Sequence, residues 1–258
     1  MRKPSARPQV IRHGLARVLS KRGICSRTEA SRWIAAGRVT VGGRTIRDPE
    51  HPTADTAVVA IDGAPLSAPE RVYIALNKPR GLVTSVTDER GRDTIYRCLD
   101  GVGLPWLAPV GRLDKASEGL LLLCNDPAWA DRVTNPETGP GKVYHVQVDG
   151  IPDSASQAAM VRGVSVDGDF LRASSVQVLR SGGTNAWLEV ALDEGRNRQI
   201  RRLLAALDIN VLRLVRVAIG ALALGDLAKG QWRRLEDDEV RALAPVDARP
   251  TARATSTL

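Results

Sequence analysis

Residues 119–124 read Gly-Leu-Leu-Leu-Leu-Cys, a continuous apolar run dominated by leucine. A run this short and this continuous has the length of a β-strand and suits burial on both faces. It is far below the roughly 20 residues that span a bilayer. The segments around it set the fold class. Val72 to Leu76 forms a second apolar strand, ending in the turn Asn77-Lys78-Pro79-Arg80-Gly81. Val143 to Val148 alternates, with Tyr144, Val146 and Val148 on one face and His145 and Gln147 on the other. Trp187 to Leu192 adds a strand, and Ile200, Leu203, Leu204 and Leu207 give the stripe of an amphipathic helix. Hairpins and helices mix without regular βαβ alternation, which predicts an α+β fold with a largely antiparallel sheet. Aromatic residues make up 3% of the chain, so its core has to be mostly aliphatic.

Ahead of this body lies a smaller unit. Leu15, Val18 and Leu19 recur at helical spacing until Gly23, and Ser26 stands three residues before Glu29 in the arrangement of a reciprocal helix cap. The second helix carries Ala30, Trp33 and Ile34 on one face and ends at Gly37. Val39 and Val41 then alternate with polar residues, Gly42-Gly43 suits a tight hairpin, and a strand from Val58 to Ile61 runs into the Asp62-Gly63 turn. The expected organisation is a flexible basic tail over residues 1–10, a small α/β domain over 11–64 and a linker over 65–70. A large domain over 71–244 and a disordered tail over 245–258 complete it.

Charge separates the two parts. Residues 1–47 hold 12 Arg or Lys and a single acid, Glu29, a net +11, whereas the rest of the chain nets −3. A short basic segment on a near-neutral body reads as an electrostatic footprint for a polyanion, with nucleic acid first among candidates. A solvated arm kept for solubility is the plainer alternative. The N-terminus has no apolar stretch that could direct secretion. Three cysteines, Cys25, Cys98 and Cys124, argue against a disulfide framework. With three histidines besides, no Cys/His set has zinc spacing. A cytoplasmic protein without metal or membrane segment is expected.

Two segments carry chemistry. Gly111-Arg112-Leu113-Asp114-Lys115-Ala116-Ser117-Glu118-Gly119 is a polar, glycine-bounded loop leading into the buried strand. Asp114 there suits an Asx turn as readily as a reactive carboxylate. The second segment begins Glu194-Gly195-Arg196-Asn197-Arg198-Gln199-Ile200-Arg201-Arg202, and six arginines fall between Arg196 and Arg216 with little acid nearby to pair with them. Arginine suits bidentate phosphate binding, and a buried one keeps a nucleophilic carboxylate ionised.

At these two segments the chain resembles a bacterial pseudouridine synthase of the branch that modifies ribosomal RNA. Gly111 to Asp114, Ser117, Gly119 to Leu123 and Asn125-Asp126 match the catalytic-loop motif. Lys142-Val143-Tyr144 matches the tyrosine motif, Glu194 to Leu203 the arginine motif, and Leu212 to Arg216 with Ile219-Gly220 the motif after it. Asn77 to Gly81 and Gly230-Gln231-Trp232-Arg233 bracket the domain, so the likeness covers roughly residues 71–236. Residues 19–43 are similar to the RNA-binding domain first known from ribosomal protein S4.

The resemblance implies isomerisation of uridine with no cofactor and no metal. It makes Asp114 the nucleophile, attacking either the uracil ring or the ribose anomeric carbon. The glycosidic bond then breaks, the base turns, and carbon 5 joins the sugar. Tyr144 would stack on the flipped base and serve in proton removal, Arg201 would pair with Asp114, and Leu214 would pack in the pocket. Arg112 would fill the space that the extruded base leaves, and Lys142, Arg198 and Arg216 would hold the substrate. Extrusion is needed in any case, because the reacting carbons are buried in a stacked helix. Lys21, Arg22, Arg27 and Arg38 are the RNA-contact candidates of the N-terminal unit. The expected partner is ribosomal RNA or a ribosomal assembly intermediate, with the protein a monomer. Residues 125–138 and the Arg-Asn-Arg-Gln wording look like the large-subunit enzymes, although small-subunit enzymes share nearly the same architecture. Two rivals stand beside this reading: an RNA-binding protein without catalysis, and a metal-dependent hydrolase using Asp114. The second lacks a companion carboxylate cluster.

Overall fold

The computed structural model describes residues 11–67, 69–85 and 91–245. The expected basic tail over residues 1–10 lies outside them, as does all but the first residue of the tail expected over 245–258. The chain divides into two compact units, the first dominated by residues 1–72 and the second comprising most of 73–258.

In the N-terminal unit two short helices, Leu15–Lys21 and Arg27–Ala35, stand beside a four-stranded sheet ordered Arg44–Ile46, Val39–Val41, Val59–Ile61, Ala64–Pro65. Leu15, Ala16, Leu19, Cys25, Ala30, Ile34, Val39 and Val59 form its core. Ser26 caps the second helix by accepting from the Glu29 N–H at 3.1 Å. The return bond from the Glu29 side chain is absent among the described residues, so half of the expected reciprocal cap forms. The sheet runs on through Ala64–Pro65, and Leu66 packs against the core, inside the segment expected as linker.

The second unit is built on a nine-stranded sheet. Its main path runs Ser175–Ser181, Asn185–Leu192, Lys142–Asp149, Val211–Ile219, Glu118–Cys124, Tyr73–Lys78, Trp232–Arg234. Neighbours along this path are antiparallel except one pair: Val211–Ile219 runs parallel to Glu118–Cys124, with Val215 opposite Glu118 and Arg216 opposite Gly119. Gly119 explains how they approach. It sits at φ +99°, and a Cβ there would lie 2.2 Å from the Arg216 carbonyl oxygen, so no other residue fits the crossing.

The 118–124 strand is buried at every residue, as its composition requires. Leu120, Leu122 and Cys124 turn to a cluster with Trp129, Val133, Ile219 and Leu243, where the Trp129 indole N–H donates to the Val240 carbonyl at 2.9 Å. The arginine-rich helix spans Gln199–Ala205, buries Gln199, Ile200, Leu203 and Leu204, and stops before Leu207. One further boundary differs from expectation. Asn77 and Lys78 belong to the 73–78 strand and not to the turn after it, because Asn77 is held there by Gln231 and Gly230 of the neighbouring chain segment.

Candidate active site

The loop between Gly111 and Ser117 carries Asp114, and its backbone is pinned on both sides of that residue. The Thr84 hydroxyl donates to the Leu113 carbonyl at 2.7 Å and accepts from the Leu113 N–H at 3.3 Å. The Gly81 N–H donates to the Lys115 carbonyl at 2.8 Å. Beneath the loop lies Lys78, 0% exposed. Its ammonium donates to the carbonyls of Ser117 at 2.9 Å, Pro79 at 3.1 Å and Asp114 itself at 3.2 Å. Burial pushes the Lys78 ammonium down to about 8, with Glu118 and Asp114 pulling the other way. The strand that the loop enters starts with another buried charge, Glu118. Burial raises its carboxyl, but Arg213 at 2.7 Å and Lys229 at 2.8 Å outweigh that and hold it below the usual carboxylate range.

Asp114 faces a cleft of about 480 Å³. Every catalytic and substrate-binding candidate read from the sequence lines it: Arg112, Asp114, Lys142, Tyr144, Arg198, Arg201, Leu214 and Arg216. The adjacent strands Lys142–Asp149 and Val211–Ile219 place Tyr144 opposite Arg216, both of them buried, with Leu214 on the same strand as Arg216. Arg112 stands exposed on the loop.

The ion pair on Asp114 differs from the one expected. Arg198, not Arg201, reaches the carboxylate, with Nη1 3.4 Å from Oδ2. Arg201 sits lower on the helix and donates to the carbonyls of Val211 at 3.3 Å and Ala116 at 3.4 Å, while its Nε is buried without a partner. Its guanidinium is pushed below its ordinary value by burial first and by Arg198 next, with Asp114 opposing. Arg201 is therefore tied to the Asp114 loop by the Ala116 carbonyl and meets Asp114 only at longer range, through charge.

The reason lies in the backbone. Arg198 precedes the helix in the left-handed conformation, φ 49° and ψ 32°, which a residue with a side chain adopts at a cost. From that turn the Arg198 guanidinium reaches Asp114, whereas Arg201, three residues on, spends its guanidinium on the carbonyls of Val211 and Ala116. Buried Gln199 fixes the turn: it accepts from the Arg196 N–H at 3.0 Å and donates to the Arg172 carbonyl at 2.9 Å and to Glu194 at 3.1 Å. Acid missing from the local sequence arrives from elsewhere in the fold. Asp169, on the Asp169–Leu171 strand, pairs with Arg196 at 3.1 Å and with Arg202 at 2.8 Å.

Sequence reasoning passed over Lys78, Gln199 and Asp169 as site-building residues. A trace of the first was present, since a lysine ending an apolar strand has to find acceptors. Nothing local marked the other two.

The RNA-contact candidates of the N-terminal unit divide. Lys21 pairs with Asp55 at 2.8 Å and Arg38 forms a forked pair with Asp62. Arg22 donates to the carbonyls of Asp55 at 2.8 Å and Ala57 at 2.6 Å, holding the fold together. Arg27 is exposed and meets no carboxylate among the described residues.

No helix among the described residues is long and apolar enough to cross a membrane. Nor do three or more His, Cys, Asp or Glu side chains among them come together as a metal site.

The profile of the RNA pseudouridylate synthase family matches residues 72–206, and that of the S4 domain matches residues 13–53. An uncharacterized RNA pseudouridine synthase of Aquifex aeolicus is 36% identical over 229 residues, covering 87% of this chain and 91% of its own. One of Mycobacterium leprae is 36% identical over 233 residues, covering 89% and 91%. Among solved structures, the crystal structure of a pseudouridylate synthase superimposes with a TM-score of 0.63 at 27% identity, over 90% of this chain and 99% of the other. A cleft built on a pinned loop aspartate, a buried tyrosine and a cationic turn is thus carried by a chain that belongs to the RNA pseudouridine synthase family, whose members isomerise uridine to pseudouridine in RNA.

Proposed function

We propose that this chain isomerises one specific uridine of ribosomal RNA, in the large subunit, with Asp114 as the nucleophile, acting in the cytoplasm as a monomer without cofactor or metal. The observation that carries the reading is the setting of Asp114. Its backbone is anchored from Lys78 and Thr84, its carboxylate faces Arg198, and the cleft before it is walled by Tyr144 and Leu214. A protein that only bound RNA would have no use for a loop held this firmly around one carboxylate. In this reading Tyr144, which lines the cleft, stacks on the extruded base, and Arg112, exposed on the loop, enters the gap in the helix. The S4 domain, with Arg17, Arg27 and Arg32 exposed on its helices, holds the surrounding RNA in this reading. The choice of ribosomal RNA, and of its large subunit, rests on the Arg196-Asn197-Arg198-Gln199 wording and on residues 125–138.

Mapping pseudouridines in both ribosomal RNAs of a strain lacking the gene tests this. One position in large-subunit RNA should lose its pseudouridine and regain it with the wild-type gene but not with Asp114→Asn. A full complement of pseudouridines in the deleted strain would defeat the target assignment. Chelator should leave the rate on purified RNA unchanged, and sensitivity to it would bring back the metal-dependent alternative.

A further inference from the structure

Most arginines around the cleft have a carboxylate: Arg198 has Asp114, Arg196 and Arg202 share Asp169, and Arg213 has Glu118. Among the lining cations without one, Arg112 is exposed and Arg201 is held by the carbonyls of Val211 and Ala116 with its Nε unpartnered; two more stand on the inner wall. Arg216 is 5% exposed, and its Nε donates to the Leu120 carbonyl at 2.7 Å, but its Nη2 is buried with no hydrogen-bond partner. Lys142 lies on the adjacent strand and lines the same cleft. Neither meets a carboxylate at ion-pair distance among the described residues. The two are close enough to feel each other. Burial and the charge of Arg216 both depress the Lys142 ammonium, with Asp193 opposing. A buried donor with nothing to donate to, beside a second cation, is a site awaiting negative charge.

The depth of the pair indicates which charge. Phosphates of an RNA strand stay at the protein surface, where Arg112 is exposed and Arg198 is 52% exposed. An extruded base reaches further in, to the wall that Tyr144 shares with Arg216. Either form of attack by Asp114 charges the base. Addition of the carboxylate to carbon 6 of the ring sends the double-bond pair through carbon 5 to the carbon 4 carbonyl oxygen. Addition to the anomeric carbon breaks the bond to nitrogen 1, and the pair leaves on the uracil, spread over both carbonyl oxygens. The charge is discharged when the ring's electron pair forms the bond from carbon 5 to the sugar and the Asp114 carboxylate leaves; a base then takes the carbon 5 proton and nitrogen 1 gains one.

We propose that Lys142 and Arg216 grip a carbonyl oxygen of the flipped uracil and are catalytic residues, stabilising the negative charge that the base acquires during isomerisation. This rests on the reading of the chain as a uridine isomerase acting through Asp114. Preorganised donors aimed at a developing oxyanion act on the rate of the chemical step more than on ground-state binding.

The test compares two RNAs under single-turnover conditions: ribosomal RNA transcripts made with uridine, and the same transcripts made with 5-fluorouridine. Fluorine at carbon 5 withdraws charge from the ring and takes over part of the cations' task. Consumption of the parent nucleoside, followed by chromatography of digested RNA, reads the rate for both. Lys142→Met should slow the uridine transcript about 100-fold with RNA affinity nearly unchanged, and should slow the fluorinated transcript about tenfold less severely. Lys142→Arg, which keeps the charge, should recover most of the rate, and neutral Lys142→Gln should not. That contrast stands even if one replacement perturbs folding.

Equal losses on both transcripts would mean a structural role and overturn the proposal. Weaker RNA binding at an unchanged chemical rate would mean a phosphate contact and overturn it as well, as would full activity in Lys142→Gln. Wild-type protein that converts uridine in neither ribosomal RNA would remove the underlying reading, and this proposal with it. That failure shows before any variant is made, so it is distinguishable from the others.

Discussion

The arginines of the N-terminal helices and those around the arginine-rich turn of the second unit are used in opposite ways. On the N-terminal helices Arg17, Arg27 and Arg32 are exposed and meet no carboxylate among the described residues. In the catalytic unit the arginines between Arg196 and Arg216 are each held by a carboxylate or a carbonyl from another element. A mobile, hydrated guanidinium contributes to a field that salt screens, which serves attraction to a polyanion of any sequence. A tethered one fixes the position of a charge, which serves chemistry at one atom. The contrast predicts that substitutions in the catalytic unit act on turnover and those in the N-terminal unit on affinity.

Asp114→Asn is the sharpest way to break it. The amide is nearly isosteric and its main-chain bonds to Lys78 and Ser117 do not involve the side chain. The fold and RNA affinity should therefore survive while turnover falls about 10³-fold or more. Quantifying pseudouridine in purified RNA against bound fraction checks both halves. A parallel loss of affinity would show that Asp114 supports binding and would blur the division.

Lys78→Met removes three hydrogen bonds from beneath the loop and should cost about 2–4 kcal/mol of stability, with a fall in turnover as Asp114 loses its support. The pH dependence identifies the cause. The folded-state value of about 8 lies below the ordinary 10.5, so between those values the unfolded chain binds more protons. The contribution of Lys78 to stability therefore rises as pH climbs from about 8 to 10.5 and is flat below 8. In urea titrations the gap between wild type and Lys78→Met should widen over that window. A constant gap would mean that burial does not shift Lys78, its ammonium then titrating as in the unfolded chain.

Arg198 and Arg201 refine the comparison inside the cleft. Arg198→Ala removes the direct partner of Asp114 at the mouth and should lower turnover about tenfold to 100-fold, an effect that high salt imitates in the wild type because the pair is half-exposed. Arg201→Met leaves the mouth intact and removes the bond to Ala116, so its loss should be insensitive to salt. Rates at two ionic strengths separate the two arginines. Identical salt responses would defeat the division of roles.

How far the sequence foretold these residues follows from the range of the forces involved. Leu120 to Cys124 needed two covering layers whatever the topology, so the buried strand was readable from composition alone, as was the alternation that puts Tyr144 on an inner face. The residues lining the cleft were legible through motifs standing in order. Which arginine touches Asp114 was not, because that depends on the left-handed turn at Arg198, and the turn depends on Gln199 reaching the carbonyl of Arg172 across the fold. Lys78 reads as part of a turn in sequence, while the pairings that keep the strand going, Lys78 opposite Gly119 and Leu76 opposite Trp232, join residues far apart in the chain. The impression of unpaired arginines failed for the same reason, since Asp169 is local in space and remote in sequence.

Within the N-terminal unit, Arg22 and Arg27 test the comparison on a smaller scale. Arg27→Ala should lower the slope of log affinity against log salt by about 0.7–0.9 with little change in stability. Arg22→Ala should leave the slope alone and destabilise the unit, since its guanidinium holds the carbonyls of Asp55 and Ala57. Removing residues 1–64 should flatten the slope further and reduce turnover chiefly at low RNA concentration. Equal slopes for full-length and truncated protein would support the solvated arm instead.

The smallest effect concerns Cys25, and it asks whether the N-terminal unit depends on burial as the catalytic one does. Cys25 lies in the core with Leu19, Ala30 and Ile34. Burial, helped by the charge of Glu29 and opposed by a bond from Ala30, pushes its thiol up to about 12 from an ordinary 9. The unfolded chain therefore gives up this proton first as pH rises. The contribution of the buried thiol is complete below pH 9 and declines from there toward 12, by about 1.4 kcal/mol per pH unit at the steepest. At pH 10 the N-terminal unit should be weaker by about 1.4 kcal/mol, while Cys25→Ala, which cannot ionise, should show no such decline. Hydrogen-exchange protection of the Leu15–Lys21 amides in the two proteins at matched pH isolates the effect, because the intrinsic exchange rate cancels. Parallel profiles would mean that the thiol is reached by water in the folded state, and that the small core holds the two helices more loosely than its packing indicates.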